Sequence, residues 1–230
     1  MEAGNSAIDV LMSEPKDGVG TNGRRRLDFP ADPTLSAAIW NLNWAEHLPL
    51  TLADDSVTVE HGDFNDVMPF IVENAAAMFE EDPALSPFLP GCATDAKAQY
   101  YRRCADCFEF KDRGHSVGVM ICTPTDWSTY YIRFSATLPA YRGRRLVQRF
   151  FPTFFHILKA AGVERVEADT SPSNLAVVHI MNRFKFNITG TLLSERWGAL
   201  VRFSKFLHEP SEDVFLRQYC TGIRYQARPT

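Results

Sequence analysis

Apolar and polar residues alternate with a period of two in "SVTVEHGD", where Val57 and Val59 share one side, which predicts a strand. "FNDVMPFIVENAAAMFEED" instead repeats apolar residues at helical spacing, with Asn65 as its expected cap. "TDAKAQYYRRCADC" reads as a second helix capped by Thr94, and "CFEFKDRGHSVGVMICTPTD" as two strands around a turn at Asp112, Arg113 and Gly114. "STYYIRFSATL" is a further strand. It leads into "RLVQRFFPTFFHILKAA", a long helix that Pro152 is expected to kink by removing a backbone donor. "ERVEAD" is the next strand, "SPSNLAVVHIMNRF" a helix starting near Ser173 or Asn174, and "NITGTLLSE" and "GALVRFSKFL" two closing strands joined by "RWG".

Three strands in succession imply antiparallel pairing, whereas the strand, helix, strand passage over residues 129–169 implies a parallel crossover. The expected class is α/β, a mixed, mostly antiparallel sheet flanked by helices on both faces. The expected organisation is a disordered tail over 1–34, an arm over 35–55 packed on the domain through Trp40 and Trp44, the α/β domain over 56–207, and a C-terminal extension over 208–230. The run Arg24, Arg25, Arg26 reads as part of a solvated tail.

Composition narrows the function. Of 230 residues, 45% are hydrophobic and 23% charged, the balance of a soluble globular protein. A net charge of -4 argues against a broad nucleic-acid surface. No apolar run reaches the length of a membrane span, and the N-terminus lacks a basic segment before an apolar core, so a cytoplasmic protein without membrane association is expected. Five cysteines form no disulfide ladder, and the single C-x-x-C at Cys104 and Cys107 lacks a second ligand pair, so no metal is expected.

The stretch "LPAYRGRRL" crowds Arg142, Arg144 and Arg145 around Gly143 where a strand hands over to a helix. The unpaired amides of a helix start favour an anion, glycine admits close approach of the backbone, and guanidinium groups add attraction for phosphate. With the element order and a second stretch, "SPSNLAVVHIMNRFKFNITG", this motif resembles the GNAT family of N-acetyltransferases over roughly Ser56 to Leu207. The resemblance implies that the helix start wraps the pyrophosphate of coenzyme A. Arg142, Gly143, Arg144, Arg145 and Leu146 would hold the phosphates, and the backbone of Thr137 and Leu138 would support the pantetheine and thioester. Family members carry small residues where this chain has Arg145 and Val147.

In the second stretch Asn174, Phe186 and Gly190 match the family, and Val177, Met181 and Lys185 depart from it. The family's tyrosine at the position of Met181 stands beside the cofactor sulfur and protonates the leaving thiolate, which a thioether cannot do. Asn174 and Met181 are therefore placed with the cofactor. The family often carries a carboxylate base on the strand before the phosphate loop, but "TYYIRFSATL" has none. The candidates left are Asp169, His179 and Tyr131, with Asp126 preceding the strand.

The expected function is transfer of an acyl group from acetyl-CoA or another acyl-CoA, without a metal, to the amine of a small molecule. Two alternatives stand beside it. One is a longer-chain N-acyl synthase fed by acyl-CoA or an acyl carrier protein, its groove built from Phe150, Phe151, Phe154 and Phe155. The other is a non-catalytic acyl-CoA-binding protein, suggested by Met181 and the missing strand carboxylate.

Overall fold

The structure is a computed structural model that describes residues 42–52, 56–79, 103–194 and 197–219. Among these residues eight strands form one sheet: β1 (Leu50–Thr51), β2 (Val57–Gly62), β3 (Asp106–Asp112), β4 (His115–Pro124), β5 (Thr129–Thr137), β6 (Arg165–Thr170), β7 (Asn187–Ser194) and β8 (Gly198–Phe206). Their order is β1-β2-β3-β4-β5-β6-β8-β7. Every neighbouring pair is antiparallel except β5 and β6. Among the described residues the α-helices are α1 (Phe64–Phe79), α2 (Leu146–Ala160), α3 (Leu175–Arg183) and α4 (Glu209–Tyr219). The sheet is thus mixed and mostly antiparallel, as the pattern of the chain predicts.

The local chemistry explains most boundaries. Arg113 and Gly114 both have positive φ, 52° and 83°, and form the two-residue reversal between β3 and β4. Helix α1 starts one residue earlier than its expected cap. The Asp63 carbonyl accepts the N–H of Asp66 and Val67, and Asp66 Oδ2 takes the Asp63 N–H at 3.2 Å, so Asn65 lies inside the first turn. Helix α2 runs continuously through Pro152. Helix α4 was not foreseen, its sequence being polar with an exposed outer face. Asp106 and Cys107, read as the end of a helix, already belong to β3. The remainder of that helix, from Thr94, together with Trp40 and the 1–34 stretch, lies outside the described residues.

Alternation along the central strands feeds two cores. On one face α2 and α3 cover Phe108, Phe110, Met120, Cys122, Tyr130, Ile132, Val166, Ala168 and Phe203. On the other, Val67, Ile71 and Met78 of α1 pack on Cys107, Val119 and Ile121. The first core is rich in rings. Phe154 is fully buried, stacks on Trp44 at 5.8 Å and meets Phe108 edge-on at 5.6 Å. Burying such a side chain contributes about 1.5–3 kcal/mol. Among the described residues no helix is long and apolar enough to cross a membrane.

Candidate active site

Strands β5 and β6 pair only over Thr129–Ile132, against Arg165–Ala168. Beyond Ile132, β5 continues to Thr137 beside β4 alone, while Asp169 and Thr170 follow β8. The two parallel strands therefore separate at their C-terminal ends and leave backbone donors and acceptors of β5 open on the side facing the gap. A register shift at Ile121/Cys122 makes Arg133 the extra residue of a bulge in β5, at the point where the strands part. Gly118 permits the tight approach of β4 to the end of β5, because a Cβ there would sit 2.8 Å from Thr137 Cγ2.

The loop after β5 turns through a 3₁₀ segment, Pro139–Tyr141, and enters α2 by two left-handed residues, Gly143 (φ 81°) and Arg145 (φ 59°). A Cβ on Gly143 would meet nothing within 4 Å, so that side of the loop is open to a ligand. Leu146, Val147 and Gln148, the first residues of α2, have no hydrogen-bonded partner for their N–H among the described residues. Open glycine, unbonded amides and helix dipole together form an anion cradle that fits a pyrophosphate.

The arginines of this loop divide their tasks in a way the sequence did not show. Arg142 Nη2 donates to the carbonyls of Ala77 and Met78, at 3.0 and 3.2 Å, and so closes the C-terminus of α1. Arg144 lies over the Tyr141 ring at 4.8 Å and 3.6 Å from Asp112. Tyr141 in turn donates to Asp112 Oδ2 at 2.9 Å. Bonds from Ser56 and Tyr141 hold the Asp112 carboxyl below its usual range. Arg142 and Arg144 therefore brace the cradle, and exposed Arg145 is the arginine at the helix entrance. At Leu138 the N–H donates to Val117 and the carbonyl accepts from Tyr141, both at 2.9 Å, so its amide is not open to a thioester oxygen. Thr137 stands opposite Gly118 at the end of β5.

On the α1 side of the sheet, next to the gap, the structure brings together Tyr131 and Asp169. The Tyr131 hydroxyl donates to Asp169 Oδ2 at 3.0 Å, and Arg202 grips the same carboxylate at both oxygens, 2.9 Å each. Burial and the Asp169 charge push the Tyr131 hydroxyl up to about 12, and the bonds to Asp169 raise Arg202 further above its ordinary value. The network extends through Glu167, which pairs with Arg165 at 3.0 Å and Arg202 at 3.6 Å, to Ser204 and Thr189. Arg133 donates to Thr123 Oγ1 at 3.2 Å and lies over the Tyr131 ring at 5.7 Å. Asp169 thus has both oxygens engaged by protein donors, which suits holding Tyr131 and Arg202 in place better than taking a proton from an amine. Arg202, Arg133 and Glu167 escaped the sequence reading. Their signal was a charged residue placed mid-strand between apolar neighbours, as in "ALVRFSKF".

The other candidates disperse. Asn174 caps α3, its Oδ1 accepting the Val177 N–H at 3.2 Å. Met181 is buried between α3 and the ring-rich core. His179 is exposed on α3 and has no polar partner among the described residues. Asp126 accepts from Ser128 at the turn before β5, the opposite end of that strand from the cradle. Phe150, Phe151, Phe154 and Phe155 are all buried, at 0–8% exposure, so they fill the core and line no acyl groove. Cys107 is buried and its thiol is pushed up to about 12, chiefly by desolvation, which opposes a thiolate role.

Known proteins share this fold. Residues 74–186, from the second half of α1 through the cradle to the end of α3, match the acetyltransferase (GNAT) family. An N-acetyltransferase from Staphylococcus aureus Mu50 is 17% identical, with 67% of this chain and 100% of that chain covered at a TM-score of 0.52. yncA, a putative acetyltransferase from Salmonella typhimurium solved with its cofactor acetyl-CoA, is 16% identical (67% and 96% covered, TM-score 0.50). The ribosomal-protein-S18-alanine N-acetyltransferase from Escherichia coli is 12% identical (66% and 94% covered, TM-score 0.51). At these identities the likeness is one of fold. No curated protein matches the chain. With that match laid over the parted strands and the anion cradle, residues 74–186 carry an acetyltransferase (GNAT) domain, and the fold around it is the one solved acetyltransferases share.

Proposed function

We propose that this protein transfers an acetyl group from acetyl-CoA to the amine of a small molecule. The observation that carries the reading is the gap between β5 and β6 opening beside a helix start entered through left-handed Gly143 and Arg145. Cofactor phosphates fit the amides of Leu146, Val147 and Gln148, and the pantetheine fits the unpaired edge of β5 beyond Ile132. The thioester then lies near the Arg133 bulge, with Tyr131, Asp169 and Arg202 on the acceptor side.

The reaction requires a neutral amine to attack the thioester carbon, a donor to the carbonyl oxygen, and departure of the thiolate. Open backbone groups of β5 serve the second need. Met181 supplies no proton, so the thiolate leaves without help from that position. Its ordinary pKa, near 8.5, makes this tolerable at neutral pH. Holding both reactants in the gap supplies much of the rate.

The test has two parts. Coenzyme A should raise the thermal midpoint of the parent and do so less for Gly143→Val, whose Cβ is strained at positive φ and intrudes on the cradle. Acetyl-CoA with an amine panel should yield products heavier by one acetyl group in intact-mass analysis. A parent that coenzyme A does not stabilise, and that acetylates no amine, overturns the proposal. Met181→Tyr, with Met181→Phe as the control lacking the proton, then asks whether an acid at this place accelerates transfer. General acid catalysis typically contributes about 100-fold or more.

A further inference from the structure

Two guanidinium groups meet at the acceptor side of the gap. Arg133 and Arg202 both lie over the Tyr131 ring, with Cζ at 5.7 and 6.0 Å from its centroid. They differ from the acids beside them in how they meet solvent. The Arg202 side chain is 41% exposed and Arg133 is exposed, whereas Asp169 and Glu167 are 6% and 13% exposed. The negative charges therefore lie beneath the surface and the positive ones face the opening.

Strand β7 leaves this surface uncovered. The residue opposite Arg202 is Gly190, next to a register shift, and a Cβ there would meet nothing within 4 Å. Arg202 keeps donor capacity as well, since Nε and Nη2 serve Asp169, Nη1 reaches Glu167 at 3.6 Å, and a guanidinium carries five N–H groups. The planar fork matches the two oxygens of a carboxylate or phosphate, and binding to the half-buried Asp169 and Glu167 holds its orientation before a ligand arrives. Along β8, Leu200 falls on the same face as Arg202, and its cross-strand partner Leu192 extends an apolar border toward the hairpin end.

Building on the acetyl-transfer reading, we infer that the acceptor is an amine that carries an anionic group, a carboxylate or a phosphate, held by Arg133 and Arg202 while the amine faces the thioester. The same charges favour the neutral, nucleophilic form of the amine over its ammonium form, because like charge disfavours protonation. Activation of the nucleophile then needs no free carboxylate base, consistent with the engaged state of Asp169. The transfer balances simply: the amine nitrogen forms the amide bond, the thioester C–S bond breaks, and the nitrogen's proton passes to solvent as the thiolate departs.

The test uses matched acceptors and the full chain. α-Amino acids are compared with their primary amides, and O-phosphoethanolamine with ethanolamine, in two readouts. One is kcat/KM with acetyl-CoA; the other is the thermal midpoint of the protein saturated with coenzyme A, which needs no turnover. The anionic member of at least one pair should be favoured by about tenfold or more in kcat/KM and should alone raise the midpoint. The pair that responds identifies carboxylate or phosphate. Arg133→Gln should reduce the preference to about threefold or less. Acetylation of neutral and anionic members alike overturns this inference and leaves acetyl transfer standing. Selective stabilisation by the anionic member without any product leaves an anion site at Arg133 and Arg202 but overturns its assignment to an acceptor. Absence of selective stabilisation in both pairs, or a preference that survives in Arg133→Gln, also overturns the inference.

Discussion

The two faces of β5, β6 and β8 arise from one alternation and are built oppositely. Toward α2 and α3 the strands present Tyr130, Ile132, Val166, Ala168 and Phe203, sealed beneath phenylalanine rings. Toward α1 the same strands present Tyr131, Arg133, Arg165, Glu167, Asp169, Arg202 and Ser204, joined by hydrogen bonds and ion pairs. Apolar residues of similar volume would serve stability as well as a half-buried ionic network, and often better. The face that forgoes that option borders the gap between β5 and β6. One face of these three strands is closed as core, and the other keeps its charges paired and half-buried at the edge of the gap.

Breaking the dry face should have the largest effect on stability. Phe154→Ala removes a fully buried ring from contact with Trp44, Phe108, Phe150 and Phe151, and is expected to lower the unfolding free energy by about 3–5 kcal/mol in urea titrations. Coenzyme A should still stabilise the fraction that folds.

Asp169→Asn attacks the polar face. It leaves Arg202 without its main partner, and because that guanidinium is 41% exposed, water limits the loss to about 1–3 kcal/mol. Adding Arg202→Gln should cost less than the sum of the two single changes, the signature of a coupled pair. Strict additivity would mean that the network is not a unit.

Tyr131→Phe deletes one hydrogen bond and should cost about 1 kcal/mol. Because the folded hydroxyl is raised to about 12, its contribution is fully present below the unfolded value near 10 and is lost as pH rises through about 12. The gap between parent and variant should therefore be flat across neutral pH. A step in that range would show that another group governs it.

Asp112→Asn should have the smallest effect on the thermal midpoint near neutral pH but should weaken stabilisation by coenzyme A, since Asp112 anchors both Tyr141 and Arg144. With its folded pKa depressed, the contribution of Asp112 is present above the unfolded value of 3.8 and is lost as pH falls through the lower folded one. An unchanged response to coenzyme A would separate the brace from the cradle.

Local patterns account for what was legible in the chain. The period of two in β2, β5 and β6, the helical repeat of α2, the Asp112–Gly114 reversal and the Asn174 cap are decided by residues close in sequence. Helix α4 was less legible, since its apolar contact is made to a strand before it: Phe215 meets Phe206 at 5.0 Å. The glycine and arginine cluster marked the open helix start because those amides depend only on the helix's own first turn and the loop before it.

Sequence alone was enough for the order of elements from β2 to α1 and from β3 to β8 and for the alternation of their faces, because backbone preference and hydrophobic periodicity act over a few residues. The tertiary structure alone decided which charges became partners. Arg142 closes a helix whose carbonyls lie 64 and 65 residues away, Tyr141 reaches Asp112 across 29 positions, and Asp169 receives Arg202 from 33 residues on. A charged side chain read in sequence shows only that it avoids an apolar core unpaired. Which opposite charge meets it depends on how strands assemble into a sheet, and that assembly turned an expected base into the anchor of an arginine.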